Sequence, residues 1–443
     1  MKPGGRVGGG PDRPEQAWAE WAQAATDPTN AKEKPEALDD LLVLDCSYGS
    51  LAGSFCSSLL AEFGAEVIRF EPPEGDLARH FTPWGLLQEG TGLGYLPEGR
   101  NKFHVTLNLR HAEGQELFRA LARRADVLIE TFLPGMMEGW GIGYRQLREL
   151  NPRLLYCAVY TYGQFGSKAA SGKPPADVVD QALSGITSFT GEPEPAEGPA
   201  PYAVPTRQGS WFGWYAGGAY AAFGTLVALR YRRLTGQGQF LDVSPAEAAM
   251  RFADFNCLWY HAEGQSRERL GNLDIAVYPY TYFRCKRGFV FIAGFLDPNW
   301  AALTEIMGRP DLRDRYPTIR RRLEHAREIH PEIEAWTARH TFEEILDQVQ
   351  RYQGGGVVAT GPVNEPRETV AEAHWWERGV FQRFRDPYYG EMLIQNPPWK
   401  MTATPPRVKW LCRPVGADTA AIYGKYLGLG PSRLATLRDS GVV

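Results

Sequence analysis

Between residues 41 and 71 the chain runs through an apolar stretch, a small-residue turn, a helical period and a second apolar stretch. No other feature restricts the fold as much. LLVLD (41–45) is short and continuously apolar, as a strand buried on both faces must be, and AEVIRFE (65–71) repeats that character. The spacing between them predicts a helix over Ala52–Phe63 behind a Gly/Ser turn. A βαβ unit of this kind, about 30 residues long, makes its two strands parallel.

The rhythm continues. Strands are expected at VTLNLR (105–110), DVLIE (126–130), LLYCAVY (154–160) and QFLDV (239–243). Helices are expected at Ala112–Arg124, near Pro134–Trp140, and at Ala176–Phe189, Trp211–Tyr231 and Pro245–His261. The expected fold class is α/β, an open doubly wound parallel sheet. The texture changes after Gly271, where YPYTYFRC and FVFIAG read as a hairpin around Lys286-Arg287-Gly288, followed by amphipathic helices to about residue 352. After an N-terminal extension (1–37), this texture marks a smaller α+β domain (266–365). GEPEPAEGPAP (191–201) reads as a solvated linker.

Charge and cysteine content narrow the class. The 443 residues carry 48 basic and 52 acidic side chains, and so balanced a chain lacks the basic excess that phosphate neutralisation needs; no nucleic-acid partner is expected. The six cysteines are scattered without a CxxC pair, which points to buried reduced thiols and to neither a metal site nor a disulfide framework. MKPGGRVGGGPDRP has no apolar core and is not read as a signal peptide, so a cytoplasmic location is expected. Trp211–Leu229 is charge-free and of membrane-spanning length. Its Gly and Ala content, and the lack of a second such run, favour a buried helix and no membrane partner.

Familiar catalytic signatures are missing: there is no GxxxxGK[ST], GxSxG or HExxH, and Gly139-Trp-Gly-Ile-Gly143 has the wrong spacing and context for a dinucleotide loop. A resemblance enters instead. LLVLDCSYGSLAGSFCSSLLAEFGAEVIRFEPPEGD (41–76), NKFHVTLNLRHAEGQELFRALARRADVLIETFLPG (101–135), GIGYRQLRELNPRLLYCAVYTYGQFG (141–166), DQALSGITSFTGEP (180–193) and RRLTGQGQFLDVSPAEAAM (232–250) together resemble the class III CoA-transferases, the formyl-CoA and carnitine CoA-transferase type. The collinear match runs from about 40 to the C-terminus.

That resemblance implies a Rossmann-like open parallel sheet domain (38–265 plus 366–443) with the smaller α+β domain inserted in it, two chains interlocked as linked rings, and covalent chemistry without a bound cofactor, with a CoA thioester as substrate. An Asp carboxylate attacks the thioester to form a mixed anhydride, the thiolate returns to give an aspartyl thioester, and an acceptor carboxylate completes the exchange. The family's Asp stands just before the small-residue helix that leads into TGxGQ. Counting back from Thr235 places Trp214 there, and no Asp or Glu occurs in the 44 residues from Gly198 to Leu241. Leu51, Gly139, Ala176 and Thr131 replace polar or aromatic residues usual in the family, whereas Arg110, Phe132, Asp177 and Gln181 are retained.

The first reading is therefore a non-catalytic subunit, paired as an interlocked heterodimer with a homologous catalytic chain, as in aryl-succinate CoA-transferases, where succinyl-CoA would be the donor. The second is an active enzyme with a relocated carboxylate, Asp177 or Asp180; the plain alternative makes Asp177 a helix cap and Asp180 a solvated residue. The third is a CoA-ester binding or scaffolding protein. A racemase would need a His and an acid to exchange an α-proton, and His80, His104 and His111 read as surface or loop residues. Arg69, Lys102 and Arg110 are expected beside the CoA phosphates, with Phe132 at the same site, because cations at strand ends face the cleft at a sheet's switch point.

Overall fold

The computed structural model describes residues 14–195 and 204–443. The chain divides into two units, the larger made of residues up to Ser184, Gly209–Asp254 and Ala373–Val443. Its frame is a six-stranded parallel sheet of β1 (Leu42–Cys46), β2 (Glu66–Glu71), β3 (Lys102–Thr106), β4 (Val127–Glu130), β5 (Leu155–Val159) and β6 (Phe240–Val243), in the order β3-β2-β1-β4-β5-β6. All five residues of β1 are buried, as its central place requires. Leu44 pairs with Ile68 on one side and Leu128 on the other.

Helices of this unit include α1 (Pro14–Thr26), α2 (Leu51–Glu62), α3 (Ala112–Ala122), α4 (Tyr144–Leu150), α5 (Asp177–Leu183), α6 (Phe212–Thr235) and α7 (Pro245–Arg251). Ser50 caps α2 by accepting the Ala52 N–H. Helix α6 contains the run of spanning length, and among the described residues no helix is long and apolar enough to cross a membrane. Its Gly, Ala and Thr face lies against α2 and the sheet so closely that a Cβ on Gly218 would stand 2.5 Å from the Ala52 carbonyl oxygen. Gly218→Val should therefore destabilise the fold by about 1–3 kcal/mol through forced repacking, measured as a lower urea midpoint with an unchanged slope.

The last segment of the chain closes the β3 edge, where unpaired strand groups would otherwise face water. Asn101 N–H donates to the Trp410 carbonyl, and the Asn101 side chain accepts from Lys409 N–H at 2.6 Å. His104 N–H donates to the Asp418 carboxylate at 2.8 Å, and Asp418 N–H returns a bond to the His104 carbonyl.

The smaller unit contains Gly185–Gln208 and Phe255–Glu372. It starts at Phe255 and not at 266, ends at Glu372 and not at 365, and includes the stretch read as a linker. The reason is local: Gly271 N–H bonds the Gly191 carbonyl, and Arg269 bonds the Glu192 carbonyl and the Glu194 carboxylate. Residues 196–201 of that stretch, and 1–13 of the N-terminal extension, lie outside the described residues. The unit holds α8 (Asn256–Glu263), the expected hairpin of β7 (Tyr280–Arg284) and β8 (Phe289–Ala293), and β9 (Ala359–Pro362), which pairs antiparallel with β8.

Three elements are shorter than their sequence suggests. Helix α5 stops at Leu183 because Gly185 takes a left-handed φ of 86° before a 3-10 turn. The helix expected over Pro245–His261 is two, broken where Asp254 has φ 55°. In VTLNLR only Val105 and Thr106 belong to the strand, which starts earlier, at Lys102.

Candidate active site

The strand order reverses at β1, and an open cleft of about 130 Å³ lies at the carboxyl ends of β1 to β4. Tyr48, from the turn after β1, and Phe132, from the turn after β4, present nearly parallel rings with centroids 6.4 Å apart and planes 14° apart. Trp140 meets Phe132 edge-on at 5.2 Å. Arg110 adds the cation, exposed at the rim. Thr131 braces the turn, accepting the Tyr48 N–H at 2.8 Å and donating back to the Tyr48 carbonyl.

Arg110 and Phe132 thus line the cleft, whereas Arg69 and Lys102 do not. The pleat turns Arg69 and Lys102 to the other face of the sheet, where both are fully buried. Arg69 bonds Asp45 at 3.0 Å, Tyr95 at 3.2 Å and Asp76. Lys102 bonds the Asp45 carboxylate at 3.1 Å and the Ser54 carbonyl at 2.7 Å. Burial alone would raise the Asp45 carboxyl, but Arg69 and Lys102 outweigh it and hold the group far below the usual carboxylate range.

A second buried cluster holds the cleft wall from behind. The Glu71 carboxylate accepts from Arg79 Nε and Nη2, both at 2.6 Å, from Asp76 N–H at 3.0 Å, and lies 2.8 Å from His104 Nδ1. His104 is not a surface residue: it is fully buried, with Nε2 at 3.1 Å from the Gly99 carbonyl. Burial works against its charge, yet Cys412 and Glu71 push its pKa up to about 9. His80 and His111 are exposed. The sequence signal for this cluster is a period of two: Asp45, Arg69 with Glu71, and Lys102 with His104 fall on one face of three adjacent strands.

The position that the resemblance gives to the nucleophile lies elsewhere in the same unit, near the N-termini of α5 and α6. Trp214 is in the first turn of α6, 5% exposed, with its ring stacked on Phe81 at 5.4 Å and 25°. Its backbone N–H donates to Asp177 Oδ1 at 3.1 Å, while Asp177 Oδ2 accepts from Gln181 Nε2 at 2.7 Å. Asp177 therefore caps α6, placing negative charge where a helix N-terminus favours it. It does not cap its own helix.

Asp180 is not solvated. It is fully buried, and neither carboxylate oxygen meets a donor in good geometry. Burial pushes its carboxyl up to about 7, with the nearby Thr161 hydroxyl easing the rise and the Asp177 charge adding to it. Gly213 makes this packing possible, since a Cβ there would lie 2.7 Å from the Asp180 Cβ. The position that the resemblance gives to a nucleophile is thus filled by an indole, with two sealed acids behind it.

The family model described as CoA-transferase family III matches residues 38–419. The chain belongs to that family. The succinyl-CoA--D-citramalate CoA-transferase of Chloroflexus aurantiacus is 34% identical over 94% of this chain and 100% of its own length. The alpha and beta subunits of the succinyl-CoA--L-malate CoA-transferase of the same organism are 33% and 32% identical, over 96% and 89% of this chain and 97% and 95% of their own lengths. Among solved structures, a CaiB/BaiF family protein from Brucella suis superposes with a TM-score of 0.76 at 25% identity, covering 89% of this chain and 100% of that one. Within this family fold, Leu51 is fully buried in the first turn of α2 and Ala176 directly precedes α5.

Proposed function

We propose that this chain is the non-catalytic subunit of a heteromeric class III CoA-transferase, interlocked with a homologous chain that carries the nucleophilic Asp. One observation carries the reading: Trp214, at the position that the resemblance gives to the nucleophile, is buried and stacked on Phe81, and no Asp or Glu occurs from Gly198 to Leu241. Asp177 is committed to capping α6, and Asp180 has no path to a thioester. That the relatives include the unlike subunits of one enzyme supports a two-chain arrangement.

The substrates in this reading are succinyl-CoA as donor and a dicarboxylic acid of the succinate type as acceptor, with an aryl-substituted succinate as the specific expectation. Relatives that use succinyl-CoA with citramalate and malate support the donor and the acid class. The cleft at Tyr48, Phe132 and Arg110 suits the nucleotide end of CoA: two parallel rings offer a slot for a base, and Arg110 offers a partner for phosphate.

The test is CoA transfer from succinyl-CoA to an aryl-succinate, followed by chromatography of the thioesters. The chain alone should be at least about a thousandfold slower than the reconstituted pair, as expected when a covalent nucleophile is missing. Hydroxylamine trapping should modify only the partner. Full transfer by the lone chain, or a label on Asp177 or Asp180, would overturn the proposal.

A further inference from the structure

Strand β4 ends on a polar group that its surroundings do not call for. All four of its residues are buried, and after Val127, Leu128 and Ile129 the last is Glu130, a carboxyl at 4% exposure. No cation pairs with it among the described residues. What it holds is the following turn: Glu130 Oε2 accepts the Phe132 N–H at 2.6 Å. Phe132 carries one of the two parallel rings of the cleft, and Trp140 closes on it edge-on. The carboxyl thus grips the backbone of a residue that shapes the cleft without lining the cleft itself. Without that acceptor a buried N–H would be left to find another partner, and the ring mounted on it would move with the turn.

The groups around the carboxyl show how an acid stays in this place. The Tyr156 hydroxyl, from β5, bonds it, and Cys46, from β1, stands beside it. Asp242, from β6, faces it across Ala158, because Glu130, Ala158 and Asp242 are in register on adjacent strands. Glu138, from the segment before α4, adds negative charge near Tyr156. Burial and Asp242 push the Glu130 carboxyl up to about 8, against the pull of the Phe132 N–H and the Tyr156 hydroxyl. At neutral pH the group therefore holds the turn as a neutral acid and sets no charge of its own beneath a ligand's phosphates.

Resting on the reading that the cleft takes the nucleotide end of CoA, we propose that Glu130 is a positioning residue for that ligand: its carboxyl fixes the Phe132 turn, and with it the ring slot, from beneath. A slot held in its bound shape before the ligand arrives loses less freedom on binding.

Two measurements on the full chain test this. Selective 15N-phenylalanine labelling, with Phe132→Leu to assign the signal, would follow the Phe132 amide. Its proton should lie far downfield at pH 7, shift as pH rises through about 8, and lose that shift in Glu130→Gln. Calorimetric titration with adenosine 3′,5′-bisphosphate would follow the slot. Glu130→Leu, which has no acceptor, should bind about tenfold more weakly than wild type at pH 7; Glu130→Gln keeps an acceptor and should recover most of that loss. Between pH 7 and 9.5 the affinity of wild type relative to Glu130→Gln should fall by about fivefold as Glu130 ionises. The comparison isolates Glu130, because His104, with its own value of about 9, titrates in both chains. A Glu130→Gln chain that keeps the wild-type pH profile overturns the proposal, as does a folded Glu130→Leu chain that binds like wild type. A Phe132 amide that titrates in a wild-type chain that binds no bisphosphate supports the hold of Glu130 on the turn and overturns the reading of the cleft instead.

Discussion

Trp214→Ala should lower the stability of the chain by about 3–5 kcal/mol, the usual cost of emptying a buried aromatic site. The indole stacks on Phe81, whose ring also meets Trp211 at 6.2 Å, so these packed rings leave little that can move in to fill the gap. Denaturant unfolding of the isolated chain would measure the loss; Trp214→Phe keeps the stack on Phe81 and should lose much less. Trp214→Asp is the more informative change. The new carboxylate would stand against Asp177 and Asp180 in a desolvated spot, so it should destabilise more than Ala and confer no CoA transfer on the lone chain. A lone Trp214→Asp chain that folds and transfers CoA would mean that the site lacks only its nucleophile.

Asp180→Asn should stabilise the chain by roughly 2–4 kcal/mol at pH 8.5 and by little at pH 4. The sign follows from the direction of the shift. The Asp180 carboxyl is raised from 3.8 to about 7 on folding, so the folded state holds a proton that the unfolded chain has released. The resulting stability is complete below the unfolded value and is lost as pH rises through 7. Asn keeps the shape and removes the titration. Glu62 and Glu130, raised to about 7 and about 8 chiefly by burial, tilt the wild-type profile in the same direction. The difference between wild type and Asp180→Asn across pH 4–8.5, by thermal or urea melts, isolates the Asp180 contribution. A flat difference would show that the carboxyl finds solvent or a donor.

The alternation of strands and helices was legible because a parallel sheet covered on both faces writes unbroken apolar runs between helical periods. LLVLD and LLYCAVY show this, each within a residue or two of β1 and β5. Arg110 was legible because it lies in a loop beyond a strand end, where a side chain has the cleft to itself. Arg69 and Lys102 were not, because inside a strand the side of the sheet depends on a parity of one residue that composition does not record. The position that the resemblance gives to a nucleophile was legible as a gap in the acids. What fills it was not: stacking of Trp214 on Phe81 joins positions 133 residues apart in sequence, and capping of α6 by Asp177 joins two helices through a single oxygen.

The closed β3 edge has a consequence for how the protein is made. His104 and Asp418 are 314 residues apart, and the strand that they secure is the third of six in sequence. During synthesis, β1, β2 and β3 emerge early, yet the edge of β3 stays open until nearly the whole chain has been translated. Contacts this distant in sequence slow folding, and in the interval an uncapped strand is offered to any neighbouring nascent chain. A chain stopped short of residue 407 would lack the segment that ends this exposure, so premature termination, even close to the C-terminus, should yield aggregate and not a slightly shortened folded chain.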